Sequence, residues 1–363
     1  MEGDNKNVLP TNWAELPHDL LHAINRRLDD FFDFLNFRAV CKCWRAAAPL
    51  SEQPPQFPLL LEREHHFSSD FETYSIHTGK SRRLQVPEAK NRKFVGQSNG
   101  YLVTYLVSDR NDYACPALLN PFTRAELSLP FRKLKPYYAG PNWGNYEFYK
   151  PIYVGADPIR NPREVVIYMD SAYTGLCVGY WKSENNEWAL KYSLPAPVQV
   201  YQKGRLFICN YQNSSTMAIG LTTRETLQVK FPPNQSFRYL VEGSGMVLGI
   251  RQVSYETRGT VPLERCRFEV YRLDEEDKPP RWVKTSDIGD LMIFLNSRDG
   301  FCSSASDFDG MSGNCIYFTR WNGMKGHSQL LIGRYELGKD GSEVVGHRST
   351  SNTDAIWIVP NFY

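Results

Sequence analysis

The 363-residue sequence has no Trp-Asp dipeptide and no Gly-Gly pair, so the WD40 and kelch repeat signatures are both missing. It also has no Cys-x-x-Cys. Its eight cysteines stand at 41, 43, 115, 177, 209, 266, 302 and 315. Cys41-Lys42-Cys43 is the one close pair, and a single Cys-x-Cys is a poor zinc site. No metal and no cofactor are expected. No run of about 18 apolar residues occurs, so no membrane-spanning helix is expected. The polar amino end, MEGDNKNVLPTNW, lacks the apolar core of a signal peptide. These absences predict a nuclear or cytoplasmic protein with reduced thiols. The Asn-x-Ser sequons at Asn213 and Asn234 carry no weight in that setting.

Charge of one sign is missing too. Forty-two basic residues against 40 acidic ones leave +2. That balance exerts no overall pull toward nucleic acid or a membrane surface. The local basic runs Lys80, Arg82, Arg83 and Lys90, Arg92, Lys93 read as solvated loops.

What is present divides at about residue 50. Before it, Leu20, Leu21, Ile24 and Leu28 follow helical spacing, and Pro17 suits the first helical position. A second helical run starts near Asp33, a candidate cap. It passes through Phe34, Leu35, Phe37, Val40, Cys41 and Trp44 to Ala48, where Pro49 stops it. A unit of about 40 residues buries little surface alone. Leu16, Leu20, Ile24, Phe34 and Leu35 are more apolar positions than it can hide, which predicts a covering partner or docking on the rest of the chain.

SEQPPQFP, at 51–58, is a Pro-rich break. Beyond it the apolar pattern has period two. Strands are expected at Tyr101–Leu106, Val165–Met169, Leu206–Cys209, Met246–Ile250, Phe268–Leu273, Ile316–Phe318, Leu330–Tyr335 and Ile356–Val359. A Gly followed by an apolar strand recurs at Gly100, Gly204, Gly245 and Gly313. A period near 40 to 50 with four strands per unit suggests a β-propeller. Six blades are favoured, with seven as the other count. The incomplete first unit, Phe71 to Val86, and the companionless last strand would close the ring together. The alternative is a β-sandwich.

Trp13, Leu16-Pro17, Asp19-Leu20-Leu21, Ile24, Arg27-Leu28, Phe34-Leu35, Arg38 and Val40-Cys41-Lys42-Cys43-Trp44-Arg45 together resemble the F-box, with Cys43 where many members carry Ser. The β region resembles the C-terminal domain of plant F-box proteins of the Skp-interacting and KIB types. Leu119-Asn120-Pro121-Phe122-Thr123, Leu129-Pro130, Cys315-Ile316-Tyr317-Phe318 and Ile356-Trp357-Ile358-Val359-Pro360 carry that likeness. The expected organisation is a flexible terminus at 1–11, a three-helix F-box at 12–49, a linker at 50–59 and a propeller-like receptor domain at 60–363.

The resemblance implies a Skp-type adaptor as partner and, through it, a cullin–RING ubiquitin ligase. The chain would be the non-catalytic subunit that captures a target protein for ubiquitination and proteasomal degradation. Leu16, Pro17, Leu20, Leu21 and Ile24 would be the adaptor anchors, with Leu28, Leu35 and Val40 behind them. Trp44 is expected inside, between the helices. For the target, the aromatic insertion 133–150 is the candidate surface, through Tyr137, Tyr138, Trp143, Tyr146, Phe148 and Tyr149.

An enzyme reading finds little support in the residues. Gly-x-Ser-x-Gly and Gly-x-x-x-x-Gly-Lys are missing. His65-His66 beside Glu62 and Glu64 reads as a short polar segment. Asp307-Phe308-Asp309-Gly310 reads as a turn, because it lacks the further ligands of a calcium loop. Asp274-Glu275-Glu276-Asp277 reads as a hairpin tip. A carbohydrate-active propeller remains the rival class and would need paired carboxylates at the ring axis. A scaffold that binds the adaptor without ligase activity is the third.

Overall fold

In the computed structural model the described residues are 13–63, 68–106, 116–128, 148–154, 164–171, 175–182, 187–193, 199–210, 214–220, 223, 225–233, 236–253, 262–296, 299–324, 327–349 and 355–361. The chain forms two compact units, Met1–Phe57 and Pro58–Tyr363. Among the described residues no helix is long and apolar enough to cross a membrane.

The first unit holds a 3-10 turn, Trp13–Glu15, and three helices: α1 (His18–Asn25), α2 (Phe31–Ala39) and α3 (Lys42–Ala47). Pro17 stands one position before α1, and its carbonyl accepts the first helical bonds from Leu20 and Leu21. The second helical run expected from the sequence is two helices. Cys41 is extended, at φ −162° and ψ 178°, and turns the chain between α2 and α3. Asp30, not Asp33, caps α2: its carboxylate accepts the Asp33 amide at 3.1 Å. The cap thus sits one turn earlier than the apolar pattern suggested, because Phe31 opens the buried stripe. Phe31, Phe34 and Phe37, three residues apart, are all buried. Leu21 from α1 and Ala47–Ala48 after them complete this small core.

The second unit is mainly β and forms a propeller of six sheets. The first sheet orders Ile356–Ile358, Leu59–Arg63, Asp70–Tyr74 and Ser81–Gln85. The second runs Arg92–Ser98, Tyr101–Leu106, Pro116–Leu119 and Glu126–Ser128. The third holds Phe148–Val154, Glu164–Ser171, Gly175–Lys182 and Glu187–Ser193. Gln199–Gln202, Arg205–Asn210, Ser215–Gly220 and Thr226–Lys230 make the fourth. Tyr239–Gly243, Met246–Gln252, Phe268–Asp274 and Arg281–Thr285 make the fifth. Each of these four later meanders starts at its inner strand and works outward. The inner strands of neighbouring sheets lie side by side, from Ile356–Ile358 round through 92–98, 148–154, 199–202 and 239–243 to 300–304.

The last sheet has five strands and departs from that order. The chain enters at Leu291–Leu295, turns inward to Gly300–Ser304, and then crosses over to Cys315–Met324, which runs parallel to Leu291–Leu295. His327–Glu336 and Glu343–Ser349 finish it. Apolar cores fill the gaps between sheets. One joins Val241, Leu248 and Val270 to Ile293, Ile316 and Phe318. Another joins Phe207 and Ala218 to Phe237, Tyr271 and Trp282.

The ring closes where the two chain ends of this unit meet. Ile356–Ile358 pairs antiparallel with Leu59–Arg63, matching Leu60 with Trp357. Trp357 is fully buried, and its amide donates to Asn296 Oδ1 at 2.6 Å. Arg348 clasps the same seam, with Nε 3.0 Å from Glu62 Oε1 and Nη2 2.6 Å from Glu72 Oε1. Asn120, from the Leu-Asn-Pro motif, folds its own turn by accepting the Phe122 and Thr123 amides. Its Nδ2 then holds the Asn361 carbonyl at 2.6 Å.

The recurring glycines have a shared cause. Asn99-Gly100, Lys203-Gly204 and Ser244-Gly245 each form a two-residue hairpin between an inner strand and its neighbour. Both residues are left-handed, at φ 48° and 82°, 47° and 79°, and 50° and 75°. Gly313 does not belong to this set. There the left-handed residue is Asn314, and Gly313 is needed because a Cβ would stand 2.5 Å from the Gly289 carbonyl oxygen.

Candidate partner-binding site

The helical unit shows an uneven surface. Leu20 and Ile24, one turn apart on α1, are 54% and 38% exposed. Leu35 on α2 is 37% exposed, and Val40, just past its end, is 54%. Apolar side chains of this size on so small a unit form a surface built for contact.

Three of the expected contact residues, one anchor and two from behind the anchors, differ in exposure from that expectation. Leu21 is 1% exposed and packs into the helical core, so in the free chain it supports the ridge and is not part of it. Adjacent leucines on a helix point about 100° apart, so only one of the Leu20-Leu21 pair can face out. Leu35 and Val40, placed behind the anchors, are themselves exposed. Leu16 and Leu28 are half-buried, and Pro17 is exposed.

Trp44 is half-buried, with its ring 4.5 Å from Phe37 and its Nε1 donating to the Trp13 carbonyl at 3.0 Å. It ties the amino-terminal turn to α2 and α3. Arg38 reaches the Ala48 carbonyl and stacks over Phe34 at 5.6 Å, and Arg45 Nε donates to the Arg38 carbonyl at 3.2 Å. Near the other end of α3, His22 Nδ1 lies 3.3 Å from both the Ala47 carbonyl and Glu52 Oε2. Asn25 Nδ2 donates to the same Glu52 oxygen. These bonds hold the three short helices in one arrangement. The sequence reading missed Trp13 as a surface group; it is 64% exposed. Its position next to the Leu-Pro opening was the available signal.

On the propeller, Tyr137, Tyr138, Trp143 and Tyr146 lie outside the described residues. Phe148 and Tyr149 lie in the strand Phe148–Val154, and their side chains lie outside the description. So do His65, His66 and Glu64. Glu62 is buried in the seam strand and bonded to Arg348, and burial pushes its carboxyl above the usual range. Asp309 presents its carbonyl to His77 Nε2 at 3.0 Å. Glu275, at the acidic hairpin tip, takes both Arg205 terminal nitrogens. Burial pushes the Cys209 and Cys315 thiols up, which leaves them poor nucleophiles. Among the described residues no group of three or more His, Cys, Asp or Glu is placed to hold a metal.

Comparison with known proteins accords with this two-unit plan. The family model of the KIB1-4 beta-propeller matches residues 73–344. An F-box-like model matches residues 13–51. F-box/kelch-repeat protein At1g64840 of Arabidopsis thaliana is 24% identical over 337 residues, covering 85% of this chain and 84% of its own. F-box protein SKIP23 of the same plant is 24% identical over 348 residues, with the same two coverages, 85% and 84%. Among solved structures, TolB from Acinetobacter baumannii aligns with a TM-score of 0.45 at 8% identity, over 84% of this chain and 66% of that one. The chain belongs to the KIB1-4 β-propeller family and carries an F-box-like segment ahead of its propeller.

Proposed function

We propose that this protein is the substrate-recognition subunit of an SCF-type cullin–RING ubiquitin ligase, acting in the nucleus, the cytoplasm or both. The F-box-like unit binds a Skp-type adaptor, and the propeller captures a target protein. The adaptor then links the captured target to the cullin and RING subunits, and ubiquitination sends it to the proteasome.

The observation that carries this reading is the exposure of Leu20, Ile24, Leu35 and Val40 on a unit matched by the F-box-like model. The chain itself makes and breaks no bonds. It raises the concentration of target lysines near the charged ubiquitin carrier. A propeller suits capture because its loops project from a rigid scaffold.

The test is co-purification of the full chain with a Skp-type adaptor. Truncating one buried anchor typically costs upward of about 2 kcal/mol, or roughly 30-fold in affinity. Leu20→Ala with Ile24→Ala should therefore abolish co-purification. Adaptor recovery unchanged by the double substitution contradicts the proposal. Reconstituted ubiquitin transfer onto proteins bound by the propeller separates a ligase subunit from a scaffold that only binds the adaptor.

A further inference from the structure

The innermost strands of the fourth and fifth sheets end side by side, each in a two-residue hairpin. Gln199–Gln202 runs into Lys203-Gly204, and Tyr239–Gly243 into Ser244-Gly245. Lys203 Nζ lies 3.7 Å from where a Cβ on Gly245 would stand, so the two hairpins are neighbours. Alternation aims one side chain from each strand into the gap between them. Val200, two residues before Gln202, packs with Leu240 in the core between these sheets, and Gln202 lies on the same side. Arg205, paired across the hairpin with Gln202, reaches into the gap as well and gives both terminal nitrogens to Glu275 of the fifth sheet. From the other strand, Gly243 packs on the last sheet, where its Cβ would stand 2.8 Å from Cys302 Cβ. That turns Glu242 the opposite way, toward the fourth sheet. Its cross-strand partner, Val247, is buried in the core shared with Val200.

Gln202 is 6% exposed, and its Nε2 has no hydrogen-bond partner. A buried amide left unpaired costs folding free energy, so it marks a place where an acceptor arrives from outside. Glu242 is exposed. One of its oxygens is tethered by the Gly245 amide at 3.2 Å, and among the described residues the carboxylate forms no ion pair. The Arg205 charge is already matched by Glu275. We propose that this gap is a binding site for a basic residue of an extended target peptide, with Glu242 pairing the arginine or lysine cation and Gln202 Nε2 donating to a peptide carbonyl. It rests on the target-capture reading above and names the chemistry captured. Lys203, exposed at the rim, carries the cation's own sign and opposes it.

The test titrates the full chain with a short acetylated and amidated alanine peptide holding one central arginine, against a twin holding neutral citrulline. The parent should bind the arginine peptide at least about tenfold more tightly, and Glu242→Gln should bring that ratio below about twofold. Gln202→Leu should weaken both peptides about fivefold and keep the ratio. It should also melt no lower than the parent, because it removes the orphaned N–H. A residue that only packed would lower melting and leave affinity alone; unchanged affinity in Gln202→Leu overturns its role as donor. Lys203→Ala should tighten the arginine peptide about twofold. Adaptor co-purification, scored on the same proteins, should not change. No arginine preference in the parent, or one that survives Glu242→Gln, overturns the site and, with adaptor recovered, leaves the ligase reading standing. A preference that depends on Glu242 in a chain that recovers no adaptor overturns the ligase reading and supports the site.

Discussion

Leu20 and Leu21 are neighbours with opposite duties. Leu20 projects from α1 into solvent, while Leu21 is buried. Their substitutions should separate cleanly. Leu21→Ala should destabilise the helical unit by about 2–5 kcal/mol and lower the melting of its helical circular dichroism signal. Leu20→Ala should move that melting by no more than about 0.5 kcal/mol and still weaken adaptor binding. Comparable melting losses in both would place Leu20 in the core as well. The double leucine was legible as an apolar signal; which member faces inward depends on how α1 meets α3, and local spacing does not encode that. Trp44 was expected inside and is half-buried, with its ring on Phe37 and its N–H bonded, as an indole among small helices requires. That this bond goes to Trp13, across 31 positions of sequence, is a tertiary fact.

At the scale of elements, the strands were located best where a two-residue turn ending in glycine marks their start, as before Tyr101 and Met246. Tyr101–Leu106 is found with the expected ends, and Met246–Ile250 extends only to Gln252. Leu59–Arg63 was missed because it follows the Pro-rich break with no glycine turn to mark its start, and its five buried residues show no alternation. The resemblance implied three helices, but the apolar pattern ran α2 and α3 together, because Cys41 can join a helix and is held extended here. The repeated glycines were the most informative local signal, and their environments differ. A Cβ on Gly204 would meet nothing within 4 Å, whereas one on Gly100 would stand 2.5 Å from Asn361 Cβ and 2.7 Å from the Val359 carbonyl oxygen. Gly204→Ala should cost roughly 1–2 kcal/mol from left-handed strain alone. Gly100→Ala should cost about 1–3 kcal/mol more, because it also displaces the chain segment that closes the ring. Urea unfolding midpoints of the two variants check this. Equal shifts would mean that Val359 to Asn361 yields freely.

Across the whole molecule, the two units divide the work by size. The propeller has its own cores and a seam secured by strand pairing, by Arg348 and by Asn120. The seam was legible, because a last strand without a companion needs a partner and an incomplete first unit offers one. The crossed order of the final sheet was not. Its parallel pair, Leu291–Leu295 with Cys315–Met324, is set by long-range register and leaves no mark on either strand. The helical unit has a core of a few rings and displays apolar side chains it cannot cover. The central claim is that a Skp-type adaptor covers them. Hydrogen exchange on the full chain, with and without purified adaptor, measures this directly. The account predicts that backbone amides of residues 13–47 slow by at least about tenfold on adding adaptor, and that Leu20→Ala with Ile24→Ala removes the effect. Unchanged exchange in that segment, or equal protection in the double variant, would contradict it.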